Sequence, residues 1–136
     1  MSYFNIDILN PSQVFEKDLP AEALFIPTVK GEINVLPEHT HIVSKLDIGV
    51  LTLKTNEGKK SYVVAGGVCK VLHKKVTVLA SSCERIEDID VEAAQENLKD
   101  AQAKLSGKQN LTPENFLKLE SQYRLAQVQI RAAAEK

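Results

Sequence analysis

Short stretches of alternating apolar and polar residues, divided by turn signals, fill residues 1–86, the spacing expected of a β-sandwich or barrel. Phe4, Ile6 and Ile8 alternate with Asn5 and Asp7, which predicts an opening strand with one buried and one wet face. Asn10-Pro11-Ser12 ends it, because proline has no amide to give to a ladder. Val14-Phe15 starts a second run and residues 23–28 form a third, with Asp18-Leu19-Pro20 expected to part them. The stretch 26–53 is then broken by Lys30-Gly31, Leu36-Pro37-Glu38 and Asp47-Ile48-Gly49. Residues 50–55 and 60–65 flank Asn56-Glu57-Gly58, a hairpin loop with glycine at hand for a positive φ. Ala65-Gly66-Gly67 predicts tight turning or close backbone approach, followed by runs at 68–72 and 76–80 joined across His73-Lys74-Lys75. About ten strands are expected in all, and their density argues for two packed sheets with a core mostly of Val, Ile and Leu.

The period changes over residues 87–136. Val91, Ala94, Leu98, Ala101 and Leu105 fall three or four apart and make one stripe on a helix. Asp88 or Asp90 suits its N-cap and Ser106-Gly107 its end. Thr112-Pro113 opens a second helix, with threonine as cap and proline at the first helical position. Its stripe is Phe116, Leu119, Tyr123, Ala126, Ile130 and Ala133, and a second apolar set includes Leu117, Leu125 and Val128. The short connection predicts an antiparallel hairpin. Each alanine in the seam gives up about 2 kcal/mol of burial relative to leucine, so the hairpin is expected to be weakly held and able to repack.

Composition narrows the function. The 136 residues are 43% hydrophobic and 26% charged with a net charge of −1, which suits a soluble chain with no broad surface for nucleic acid or anionic lipid. No apolar run is long enough to cross a bilayer, and the first ten residues do not read as a signal peptide. Any membrane association is therefore expected to go through another protein. Cys69 and Cys83 define no disulfide framework and read as reduced, buried thiols.

Other chemistry is thin. His39-x-His41 places two imidazoles on one strand face beside Glu38, but a metal site needs further ligands and His73 is the one remaining histidine. Cys69 and His73 lack a third, orienting group for nucleophilic catalysis. There is no P-loop and no aromatic-basic stripe for single-stranded nucleic acid.

One ordered set of short motifs points to a family. It comprises Val14-Phe15, Gly31-Glu32-Ile33, Leu36-Pro37-x-His39, Leu46-x-x-Gly49, Gly66-Gly67-x-x-x-Val71, Val76-Thr77-Val78-Leu79-Ala80 and Glu87-Asp88-Ile89-Asp90. In this order the chain resembles the epsilon subunit of the F-type rotary ATP synthase over nearly its whole length. The resemblance implies an N-terminal ten-stranded β-sandwich (1–86) that docks on the gamma subunit and the membrane rotor ring, followed by a C-terminal two-helix hairpin (87–136) acting as a regulatory arm. It implies a non-catalytic central-stalk subunit without a cofactor, held at the cytoplasmic face of a bacterial plasma membrane through the complex. By the same resemblance Glu32 lies toward the rotor ring and His39 toward gamma. Arg124 and Arg131, seven apart on one helix face, are placed to meet the catalytic head when the arm extends.

Some relatives bind ATP at the folded hairpin through Ile/Leu-Asp-x-x-Arg-Ala and arginines on the second helix. Here Asp90 and Arg124 match that set, but Ala93 stands where the first-helix arginine belongs, Glu92 adds a charge repulsive to phosphate, and Val128 stands one turn beyond Arg124. Without the missing guanidinium groups the bidentate phosphate grip is lost, so ATP sensing is not expected. The rivals are a small metal-binding β-barrel enzyme using His39 and His41, with a helical dimerisation tail, and a free-standing peptide-binding module.

Overall fold

The computed structural model describes residues 3–35, 41–107 and 111–134. The chain divides into two compact units at the Arg85–Ile86 bond. The first unit holds eight strands among the described residues: β1 (Phe4–Asn10), β2 (Gln13–Ala21), β3 (Ala23–Thr28), β4 (Gly31–Val35), β5 (His41–Lys45), β6 (Gly49–Thr55), β7 (Gly58–Leu72) and β8 (Lys75–Arg85). Their hydrogen-bonded order is β2-β1-β8-β7-β6-β3-β4, with β5 also on β7.

The two layers arise because β7 and β8 serve both. Residues 58–64 of β7 pair with β6, and residues 68–72 pair with β5. Between them Gly66 and Gly67 take φ of 74° and 116°. A Cβ on Gly67 would stand 2.1 Å from the Leu79 carbonyl oxygen and 2.8 Å from Ala80 Cα, so only glycine lets β8 pass this close. The glycine pair is thus a bend inside one long strand, not the boundary between two.

Two other sequence expectations are corrected in the same way. Asp18-Leu19-Pro20 does not interrupt β2, which runs through it. β2 stands at the end of the strand order, where one side has no ladder to supply, so Pro20 is tolerated; Asp18 absorbs the irregularity at φ 49°. The continuity of β7 merges two expected runs into one strand, whereas the runs at 14–15 and 23–28 remain separate as β2 and β3. Asp7, expected to be wet, is only 8% exposed. The core joins Phe4, Ile6 and Ile8 of β1 with Leu24, Ile26, Leu51, Leu53, Val76 and Val78, all from the first unit.

In the second unit a short 3-10 turn, Ile86–Asp88, precedes α1 (Val91–Ser106) and α2 (Pro113–Ala133). Asp90 is the N-cap of α1, accepting from the Ala93 amide at 3.1 Å, and Thr112 caps α2 through the Asn115 amide at 3.1 Å. The α1 stripe lies as spaced, with Ala94 and Ala101 its most buried members. The α2 stripe is shifted: Ala126 and Ala132 are buried, whereas Phe116 and Leu117 are exposed. The seam therefore begins at Leu119, and Ala132 takes the place expected of Ala133.

Candidate interaction surface

Strand register, which sets which residues share a face, assembles an apolar row on the outer side of the layer built from β2, β1, β8 and residues 68–72 of β7. Val14 on β2 pairs with Leu9 on β1, Leu9 with Leu79 on β8, and Leu79 with Val68 on β7. Val76, Val78 and Ala80 point to the core, so Leu79 between them must point out. Val14 and Leu79 are 58% and 51% exposed. A shallow cavity of about 320 Å³ lies along the row, lined by Leu9, Asn10, Pro11, Leu79, Ala80 and Ser81. Four neighbouring strands thus offer one flat apolar strip, which water covers at a cost and a partner would cover at a gain.

Beside the strip sits an ion cluster. Asp7 Oδ1 accepts from the Asp18 amide at 2.8 Å and from Lys75 Nζ at 2.9 Å, and Lys17 Nζ stands 3.5 Å from Oδ2. Lys75 also bonds Asp18 Oδ1. The Asp18 amide, followed by the lysines, holds the Asp7 carboxyl below its ordinary 3.8 despite burial. A folded pKa below the unfolded one gives stability that is complete above the unfolded value and vanishes as pH falls through the folded one. Asp7→Ala is therefore expected to cost about 1–3 kcal/mol at pH 7. The gap from the parent chain narrows once pH drops below 3.8, as urea denaturation at several pH values will show.

The structure places the sequence-predicted residues unevenly. Glu32 is exposed on β4, opposite Pro27, at the far end of the strand order. Next to it a cavity of about 240 Å³ is lined by residues that include Val29, Lys30, Ile33, Val43 and Lys45. His39, with the whole Leu36-Pro37-Glu38 turn, lies outside the described residues. Arg124 and Arg131 are both exposed on α2, and Arg131 sits in its last turn, where a cation favours the helix dipole. The Asp90 carboxylate is occupied in capping α1. His41 and His73 meet edge to face, ring centroids 5.3 Å apart, and no group of three or more metal-ligating side chains occurs among the described residues. Cys69 and Cys83 are free thiols, pushed up by burial to about 12 and about 11, which leaves them inert near neutral pH. Sequence reasoning missed the row itself, because Val14, Leu9, Leu79 and Val68 become neighbours only through pairing register.

Comparison with known proteins gives this sandwich a family. The model for the β-sandwich domain of the ATP synthase delta/epsilon chain matches residues 3–86. The chain belongs to the ATP synthase delta/epsilon family. It is 35% identical over 134 residues to the ATP synthase epsilon chain of Symbiobacterium thermophilum, covering 98% of this chain and 94% of that one. It is 38% identical over 100 residues to the chloroplastic epsilon chain of Tetradesmus obliquus, covering 74% and 73%. A chain in the Euglena gracilis mitochondrial ATP synthase structure (OSCP/F1/c-ring) shares the fold, with TM-score 0.84 and 24% identity over 100% of this chain and 83% of that one. A chain from the Tetrahymena thermophila mitochondrial ATP synthase central stalk and c-ring matches at TM-score 0.66 and 10% identity, covering 96% of each. As an epsilon-type member of the family, the chain is a non-catalytic subunit of the ATP synthase. Nothing in the family or the fold supports the metal-binding enzyme. No helix of the described residues is long and apolar enough to cross a membrane.

Proposed function

We propose that this subunit sits on the central stalk, couples the rotor ring to the catalytic head, and docks on the gamma subunit through the strip Val14, Leu9, Leu79 and Val68. The observation that carries this reading is the strip itself, an apolar surface on an outer sheet face with no structural need to be apolar. Glu32 and the β3–β4 turn beside it form the proposed rotor-ring contact, and His39 is proposed to face gamma. The proposed domain division follows from this: the sandwich docks, while the helical hairpin is a regulatory arm whose Arg124 and Arg131 meet acidic surfaces of the head when it extends. Similarity to an epsilon chain over 134 residues, helices included, and the alanine-rich seam of α1 and α2 support the arm. We place the protein at the cytoplasmic face of a bacterial plasma membrane, held there through the complex.

The test is ATP hydrolysis by the parent complex, depleted of this subunit and rebuilt with the full chain or with a chain stopped after Asp88. Both are expected to bind, since the first unit carries a core of its own. Hydrolysis is expected to rise at least severalfold with the shortened chain. Equal rates would make the arm structural, and failure of both chains to bind would remove the docking role from the sandwich.

A further inference from the structure

β8 ends at Arg85, and the next peptide bond opens the C-terminal unit. Arg85 is held on two sides of one residue. Its Nη2 donates to the Phe15 carbonyl oxygen at 3.1 Å, and its guanidinium carbon stands 5.3 Å from the centre of the Phe15 ring. That ring meets Tyr62 edge-on, centroids 6.2 Å apart at 78°. The Tyr62 hydroxyl donates to Glu16 Oε2, which Lys60 Nζ also approaches at 3.4 Å. Tyr62 is the direct cross-strand partner of Arg85, so the knot closes on itself.

This arrangement exists because β1 and β2 slip register between Ile8 and Leu9. The slip lets two successive residues of β2, Phe15 and Glu16, turn inward together. Phe15 is 8% exposed and the Glu16 side chain 14%. Burial, followed by Glu16, pushes the Tyr62 phenol above its ordinary value, so it remains a donor across the physiological range. A half-buried carboxylate and guanidinium are a costly way to fill a sandwich edge, where apolar residues would serve stability as well. What they supply is position: a planar fork that both stacks on a ring and bonds a carbonyl fixes its own backbone more closely than a flexible lysine does.

We propose that Arg85 is the positioning residue of the regulatory arm: its grip on Phe15 makes the last residue of β8 the fixed end and confines the pivot to residues 86–90. This rests on the reading of α1 and α2 as a mobile arm. The stretch downstream joins the two units through one 3-10 turn, in which the Ile89 N–H donates to the Ile86 carbonyl at 3.2 Å, and the Asp90 cap precedes the regular helix. The grip also reaches the docking surface. Val14 precedes Phe15 and belongs to the outward strip, so the strand that a partner covers is the strand that Arg85 holds.

The experiment uses the full chain in the parent complex, spin-labelled at Glu57→Cys and Gln102→Cys, both exposed positions in different units. The native thiols, buried and raised, do not compete for label. The interspin distance distribution is compared for Arg85, Arg85→Lys and Arg85→Ala. Both substitutions are expected to widen it about twofold, Arg85→Ala more than Arg85→Lys, since lysine keeps the charge but loses the stack and the fork. Hydrolysis by the complex is expected to change about fivefold, the weight of one hydrogen bond. Wild-type widths in both variants overturn the proposal, as does a lower unfolding midpoint without widening below it, which would mark Arg85 as merely structural. If stopping the chain after Asp88 leaves hydrolysis unchanged, arm regulation fails, and the distance distribution still decides whether Arg85 positions the helices.

Discussion

Leu79→Glu is expected to abolish docking on the parent ATP synthase while leaving the sandwich folded. Leu79 is 51% exposed in the free chain, at the middle of the strip, with Leu9 on one side and Val68 on the other. A carboxylate there is hydrated in the free protein, and surface substitutions of this kind usually shift stability by about 0.5 kcal/mol or less. In the docked state the same carboxylate is stripped of water against apolar neighbours, a cost of several kcal/mol. Affinity is then expected to fall by about a hundredfold or more, since each 1.4 kcal/mol is a factor of ten. Titration of the variant into subunit-depleted complex measures this, with circular dichroism as the check on folding. Leu117→Glu, at a position 61% exposed on α2, is the control, and its docking is expected to match the parent chain. If Leu79→Glu docks normally, the strip is not the interface.

Gly67→Ala is expected to cost about 3–5 kcal/mol in folding stability, the largest effect of any single methyl group in this chain. Two causes add. The backbone at φ 116° lies where a side chain is strained, and the new Cβ collides with the Leu79 carbonyl and Ala80 Cα, both main-chain atoms that cannot swing aside. Gly58 separates the causes. Its φ is 115°, yet a Cβ there meets nothing within 4 Å, so Gly58→Ala reports the backbone term alone, about 1–2 kcal/mol. The difference between the two variants in urea denaturation is the contribution of close strand passage. Equal losses would mean that β7 and β8 separate cheaply at the bend, and the explanation given for the two layers would fail. Leu79 thereby appears twice: its carbonyl crowds the bend and its side chain faces outward in the apolar strip.

What the residues determined by themselves is local. The period of two in Phe4, Ile6 and Ile8, the glycine after Asn56-Glu57, the caps Asp90 and Thr112, and the spacing from Val91 to Leu105 each depend on neighbours a few positions away, and each element stands where its pattern put it. The family was legible for the same reason, since short motifs in fixed order are local signals. The tertiary structure decided whatever depends on which strand lies beside which. Pro20 reads as a strand break until β2 proves to be an edge, and Gly66-Gly67 reads as tight turning or close backbone approach until β7, pairing on both sides of it, decides for close approach within one strand. Asp7 reads as solvated until strand pairing brings the Asp18 amide of β2 and Lys75 of β8 to it. The apolar strip is the plainest case. Leu9, Val14, Val68 and Leu79 are scattered over 70 positions and carry no common period, and only hydrogen-bond register, a long-range property, sets them in one row.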